Sequence, residues 1–114
     1  MNDAITDAKR WYWQRISAMV LAVCVLVHLG VIVYAVRSGL SAQHILARTH
    51  GSWAFGLFYA TFVVACAVHV PVGLATIARE WLGWSRKLAL NAGRVFGLVL
   101  LVMGLRAVFA VVAA

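Results

Sequence analysis

A histidine, His69, lies in the apolar stretch AVHVPVGL at residues 67–74, with Gly73 one helical turn beyond it. An ionisable side chain is costly in so apolar a segment, and in membrane proteins it commonly marks a functional site. Neutral imidazole binds iron well, and a glycine one turn away leaves room for a flat macrocycle. His69 and Gly73 are therefore candidate haem-binding residues; a hydrogen bond from the imidazole to a neighbouring helix is the alternative.

The residues around His69 form a small or polar helix face. Offsets of three and four residues place this face between neighbouring faces of Val, Leu, Ile and Phe. It consists of Cys66, His69, Gly73, Thr76 and Glu80. A glycine on such a face also permits close helix–helix packing, which is the structural explanation for its presence.

A second histidine, His28, lies in an earlier apolar run and shares a helix face with Ser17 and Cys24. Counted at about 1.5 Å per residue from the cytoplasmic border of each run, His28 and His69 lie roughly 18 Å and 15 Å deep. Two interpretations remain open at this point. The two imidazoles either face one another or serve two separate sites.

Arg15 begins the first apolar run, in the segment WYWQRISA. One interpretation is an interfacial anchor whose guanidinium extends towards the headgroups. The other is a cation directed into the bundle at a haem propionate or a quinone oxygen.

Composition identifies the elements that must position these residues. The chain has 114 residues, of which 65% are hydrophobic and 11% charged, whereas soluble domains carry about 25% charged residues. Three runs are long enough to cross a bilayer as helices, at about residues 16–36, 53–78 and 88–113. The prediction is an all-α, integral membrane bundle of three transmembrane helices, forming a single domain over residues 1–114.

The distribution of charge predicts the orientation of this bundle. The net charge is +7, and the cations lie at the ends of the apolar runs, so nucleic acid is not an expected partner whereas anionic lipid is. Seven of the ten cations lie in the N-terminal flank and around the second loop. Both therefore lie in the cytoplasm, and the C-terminus lies outside. All five tryptophans fall at the ends of the runs, as in the aromatic belts of membrane proteins.

Two further features concern packing. Gly93, Gly97 and Gly104 form a close-packing face on the third span, and it is open whether that face meets a helix of this chain or of a partner. The first loop is moderately polar, and we expect it to include a short interfacial helix.

With these residues in hand, the chain resembles the small membrane-anchor, cytochrome b, subunits of succinate dehydrogenase and fumarate reductase (respiratory complex II). The resemblance covers nearly the whole chain. It rests on QRISA at residues 14–18, which is similar to the family's HRISG-like opening, and on His69 with Gly73 in an H-x-x-x-G motif late in the second span.

The resemblance implies an electron-transfer and anchoring role in a multi-pass protein of the bacterial inner (cytoplasmic) membrane. The implied cofactor is b-type haem, and quinone is the substrate. His69 matches the axial ligand of the haem iron, Arg15 matches an arginine beside the quinone pocket, and Ser17 lies in the same motif. His28 is a looser parallel to a second ligand in two-haem anchors. Gln14 and Ala75 depart from the family's usual histidine and arginine.

The family also implies partners: a flavoprotein subunit, an iron–sulfur subunit, and a second membrane-anchor chain or a second copy of this chain to complete the haem ligation. We expect no catalysis from the isolated chain. Two alternatives compete with this hypothesis: a haemless structural anchor, and a cytochrome b subunit of another membrane-bound dehydrogenase. A proton-coupled exporter is disfavoured because no acidic residue lies within a span.

Overall fold

The computed structural model describes residues 2–113, which form four helices. Helix α1 spans Asn2–Ser38, α2 spans Ala42–Thr49, α3 spans Trp53–Trp81 and α4 spans Arg86–Val112. Three of them, α1, α3 and α4, are long and apolar enough to cross a membrane. The prediction of an all-α bundle with three membrane-crossing helices is therefore confirmed, and α2 is the short helix expected in the first loop.

Helices α2, α3 and α4 begin at serine caps, and α1 and α3 end near glycines. Ser41, Ser52 and Ser85 each accept a hydrogen bond from the backbone N–H three residues later, which satisfies a donor that the helix itself leaves unpaired. Gly39 and Gly83 adopt positive φ angles of 133° and 69° in the connections after α1 and α3. Side chains disfavour such backbone angles, so glycine allows the chain to turn back there.

Helix α3 is the centre of the bundle. It packs along α4 most extensively and along α1 on another face, while α2 lies against α4. The bundle measures 52 × 24 × 23 Å. Its long dimension comes from α1, whose 37 residues correspond to about 55 Å of helix. Because α3 separates α1 from α4, most of the contacts that could shape a site involve α3.

Close packing of α3 on α4 depends on the three glycines identified from the sequence. A Cβ on Gly93 would lie 2.5 Å from the Pro71 carbonyl oxygen, and one on Gly104 would lie 2.6 Å from Val63. A Cβ on Gly97 would overlap the Pro71 ring. The predicted packing face is therefore confirmed, and its partner is α3 of the same chain.

The interior is small and the exterior is apolar. The buried apolar side chains are cysteine and alanine only, and none of the large side chains in the described part is fully buried. Large apolar residues instead lie exposed along all three long helices. This arrangement suits lipid, in which helices associate through small residues rather than through a hydrophobic core.

Candidate functional site

A stripe of polar side chains follows the contact between α1 and α3. The two helices run antiparallel, so residues early in α1 face residues late in α3. The pairs along this stripe are Gln14 with Gly73, Ser17 with His69, and His28 with Tyr59. The sequence-predicted face that carries His69 and Gly73 thus meets the predicted face that carries Ser17 and His28.

His69 is half-buried and contacts α1 through one ring nitrogen. Its Nδ1 lies 3.4 Å from Ser17 Oγ, and Ser17 is only 4% exposed. The same hydroxyl lies 3.1 Å from the Gln14 carbonyl oxygen, to which it donates within α1. His69 Nε2 has no hydrogen-bond partner in residues 2–113. One nitrogen is therefore engaged by protein, and the other retains its capacity as a ligand.

Gly73 faces the side chain of Gln14. A Cβ on Gly73 would lie 3.5 Å from Gln14 Nε2 and within 4 Å of no other atom of the neighbouring elements. A methyl group at Gly73 would therefore be in ordinary contact with the end of one flexible amide, and the expected room for a macrocycle stays a prediction. The other end of that amide, Gln14 Oε1, is buried and has no hydrogen-bond partner in the described chain. A buried acceptor without a donor costs about 1–3 kcal/mol, which a ligand with a hydroxyl would relieve.

His28 lies at a different level of the bundle. Its Nδ1 is 3.3 Å from the Tyr59 hydroxyl, and its ring makes edge-to-face contacts with Tyr59 and Phe62 at 5.7 and 5.6 Å. Ten residues of α3 separate Tyr59 from His69, which corresponds to about 15 Å along the helix. The two imidazoles of one chain therefore do not face each other and cannot bind opposite sides of one iron.

Arg15 lies on the exposed side of α1. Its guanidinium carbon stands 5.1 Å from the centre of the Trp11 ring, one turn towards the N-terminus. This is a cation–π geometry, and it directs the charge away from the centre of the span. Arg94 of α4 lies at a similar level along the bundle to Arg15. Its neighbour Gly93 packs on Pro71 of α3. The neighbour of Arg15, Gln14, packs on Gly73, two residues further along α3.

A cleft opens at the same end of the bundle, beyond His69. Its volume is about 280 Å³ and it lies between α1 and α3, with one residue from α4. Polar and apolar side chains both line it: Asp7, Arg10, Trp11, Gln14, Val72, Ala75, Thr76, Arg79 and Leu90. The cleft thus contains arginine donors and an aromatic wall, with the side chain of Gln14 at its border, and Arg15 stacks on the Trp11 wall.

Two more cavities are largely apolar. One of about 490 Å³ lies beneath α2, between α3 and α4, with His28 and Tyr59 among its walls. Another of about 380 Å³ lies along α1 and α3 and includes Ser17. Thr49 of α2 lines the first cavity. Its hydroxyl donates a hydrogen bond to the Val111 carbonyl oxygen at 2.7 Å, which holds α2 against the end of α4.

A polar network joins α1 to α4 at the cleft end. Asp7 lies 2.8 Å from Arg86 at the start of α4 and 3.5 Å from Arg10. The hydrogen bond from Arg86 lowers the pKa of the Asp7 carboxyl, and the charges of Arg86, Arg10 and Arg79 act in the same direction against partial desolvation. The same bond raises the pKa of Arg86. This pair connects α1 directly to α4.

The residues present fit one axial position of a haem. The ligand would be the half-buried imidazole of His69, whose Nε2 is free within residues 2–113 and which has a glycine one turn away. Its Nδ1 is hydrogen-bonded, and metal-bound histidines generally have such a bond at the nitrogen that does not bind the metal. The described residues contain no group of three or more His, Cys, Asp or Glu side chains placed to hold a metal ion. A porphyrin supplies four nitrogen ligands itself, so a single histidine from this chain is sufficient.

Two participants were not singled out from the sequence. Tyr59 is the partner of His28, and its offset of ten residues from His69 corresponds to about 80° around the helix, so the spacing of the His69 face does not identify it. Arg10 lines the cleft, but nothing in the sequence distinguishes it from the other flanking cations.

Comparisons of the chain with known protein families, with curated proteins and with solved structures found no match.

Proposed function

We propose that this chain is the membrane-anchor, electron-transfer subunit of a succinate:quinone or fumarate:quinone oxidoreductase. In this role it binds b-type haem through His69 and contributes to a quinone site. The observation that carries the proposal is the state of His69: Nδ1 meets a buried serine of the QRISA segment, and Nε2 has no protein partner in residues 2–113.

Haem, when bound, accepts and passes on one electron at a time. The chain's own contribution is to hold and orient the ligand. Ser17 fixes the His69 ring, and Gly73 keeps the adjacent space free of side-chain bulk. Because His28 lies about 15 Å away along the bundle, a second protein ligand for the haem iron would come from another anchor chain or a second copy of this one.

The cleft beyond His69 is the proposed place for the quinone head. Arg10 can donate hydrogen bonds to a quinone oxygen, and Trp11 offers an aromatic wall. The side chain of Gln14 also lines the cleft, so it lies beside the proposed quinone head. Arg15 acts on this site through Trp11, on which it stacks.

The orientation in this proposal follows from charge. The basic residues of the α1 N-terminus and of the α3–α4 connection place both segments on the cytoplasmic side of a bacterial inner membrane, with the C-terminus outside. The cleft then opens at the cytoplasmic end, where a flavoprotein and an iron–sulfur subunit would dock. Dicarboxylate chemistry belongs to the flavoprotein, and the anchor relays electrons to quinone.

Co-purification tests this function. The chain carries an affinity tag on the full-length protein and is isolated from native membranes in mild detergent, and the bound subunits are identified by mass spectrometry. We expect a flavoprotein and an iron–sulfur protein, with quinone reduction that depends on succinate or quinol oxidation that depends on fumarate. Purification with a different dehydrogenase, or with no soluble subunit, contradicts the proposal.

A second candidate is a haemless structural anchor. It is favoured by the hydrogen bonds themselves, because both imidazoles within the membrane have partners on a neighbouring helix. Such bonds stabilise membrane helices by about 0.6 kcal/mol on average. Extraction of the purified complex and detection of porphyrin by mass spectrometry separates the two, since the structural anchor yields none.

A further inference from the structure

Ser17 has one hydroxyl proton and two neighbours that compete for it. Its Oγ lies 3.1 Å from the Gln14 carbonyl oxygen and 3.4 Å from His69 Nδ1. The carbonyl is the nearer acceptor, and serine hydroxyls within helices regularly donate to a carbonyl one turn back. The proton therefore belongs to the bond with Gln14, and Oγ presents its lone pairs to His69.

This division of the proton selects one form of the imidazole. A neutral histidine carries its proton on either Nδ1 or Nε2, and the hydrogen bond at one nitrogen decides which. An oxygen that accepts at Nδ1 requires the proton to be there. Ser17 is 4% exposed, so its hydroxyl has little access to solvent that could replace these partners.

We infer that Ser17 is a positioning residue that holds His69 with its proton on Nδ1 and thereby leaves the Nε2 lone pair as the ligating atom. Ser17 itself contacts no cofactor in this assignment; it acts through His69. The choice of tautomer stands on the geometry alone, whereas its consequence for haem ligation rests on the proposed function.

The tautomer is tested in the full-length protein in lipid nanodiscs, labelled with ¹⁵N-histidine and free of haem. Long-range ¹⁵N–¹H correlation spectra report which ring nitrogen carries the proton. We expect Nδ1–H for His69 in the wild type and in Ser17→Thr, and a shift to Nε2–H in Ser17→Ala. The His28 resonances, about 15 Å away, should not change and serve as an internal control. A wild-type His69 protonated at Nε2, or one indifferent to Ser17→Ala, overturns the inference.

Titration of the same samples with haemin tests the consequence. Loss of a supporting partner typically weakens metal binding 10–100-fold, and we expect that loss in Ser17→Ala with recovery in Ser17→Thr. Unchanged affinity in Ser17→Ala overturns the role in ligation while leaving the proposed function intact. Wild-type affinity no higher than that of His69→Ala instead contradicts the haem proposal, and the tautomer spectra still decide the first inference.

Discussion

The two histidines within the membrane-spanning helices, His69 and His28, differ in the hydrogen-bonding partner of their Nδ1 atoms. In the inferred assignment, Ser17 gives its proton to the Gln14 carbonyl oxygen and accepts a hydrogen bond from His69 Nδ1. The Tyr59 hydroxyl near His28 can donate or accept, and the aromatic rings of Tyr59 and Phe62 cover the imidazole. The two imidazoles therefore differ in their neighbours: His69 meets a serine hydroxyl, whereas His28 meets a tyrosine hydroxyl and two aromatic rings and lines the cavity of about 490 Å³.

Gln14 provides a test at the level of a single atom. Its buried Oε1 lacks a donor in the described chain, and removal of such an unpaired acceptor is stabilising. We expect Gln14→Leu to raise the free energy of unfolding of the isolated anchor by about 1 kcal/mol while weakening quinol binding to the assembled complex. Unfolding in detergent by denaturant, followed by circular dichroism, measures the first effect.

The matched control is Gln43→Leu in α2, where the glutamine is exposed and a change within about 0.5 kcal/mol is expected. Destabilisation by Gln14→Leu would show that the amide is already satisfied and would remove it from the proposed quinone site.

At this scale the sequence identifies residue types better than their partners. Spacing of three and four residues was enough to group Ser17 with His28 and His69 with Gly73. It could not predict that these two groups meet, because the antiparallel register of α1 on α3 depends on which small residues allow close approach. The stacking of Arg15 on Trp11 was likewise open, since an arginine at a helix end can extend either way.

At the level of elements, the contact between α3 and α4 depends on the absence of side chains. Gly97→Val places a branched side chain against the Pro71 ring and the Ala67 carbonyl oxygen. We expect a loss of about 1–3 kcal/mol in the free energy of unfolding, as for other overpacked sites. Gly30→Val in α1 is the matched control, because nothing lies within 4 Å of a Cβ there. Equal effects of the two variants would refute the packing assigned to α4.

The ion pair between α1 and α4 predicts a dependence on pH. The Asp7 pKa in the folded protein lies below the ordinary aspartate value of about 3.9, because Arg86 donates a hydrogen bond to the carboxylate. The unfolded chain thus binds the proton first as the pH falls. The stabilisation is fully present above about pH 4 and is lost as the pH falls through the lowered folded value.

We therefore expect acidification from about pH 6 to about pH 3 to lower the thermal midpoint of the wild type slightly more than that of Asp7→Asn. The difference is small because exposed ion pairs contribute little. Asp3→Asn, which removes a neighbouring acid outside this pair, should behave as the wild type. Identical acid sensitivity in Asp7→Asn and the wild type excludes a contribution from this pair.

Hydropathy predicts some helix boundaries of this chain and not others. The second run was expected to begin at Trp53, and α3 begins there. The first run was bounded at residue 16 by Arg15, but α1 begins at Asn2, because charge ends the part that crosses lipid without ending the backbone hydrogen bonds. Hydropathy alone therefore could not predict the N-terminal turns that carry Asp7 and Arg10 to the cleft.

For the whole molecule, the proposed orientation predicts which surfaces reagents can reach. We expect Gln43→Cys to react with a membrane-impermeant maleimide in right-side-out vesicles, and Lys87→Cys to react only after inversion. The wild type serves as the blank, because Cys24 is buried and Cys66 is half-buried. The opposite labelling pattern would place the cleft outside and remove the quinone site from the side where the soluble subunits were proposed.

The most direct test of haem ligation by His69 is the reduced-minus-oxidised optical spectrum of the complex purified from native membranes. The comparison needs the wild type, His69→Ala and His28→Ala at equal amounts of anchor. The account predicts b-type bands in the wild type and in His28→Ala, and their loss in His69→Ala. A wild-type spectrum without these bands, or bands that persist unchanged in His69→Ala, would contradict it.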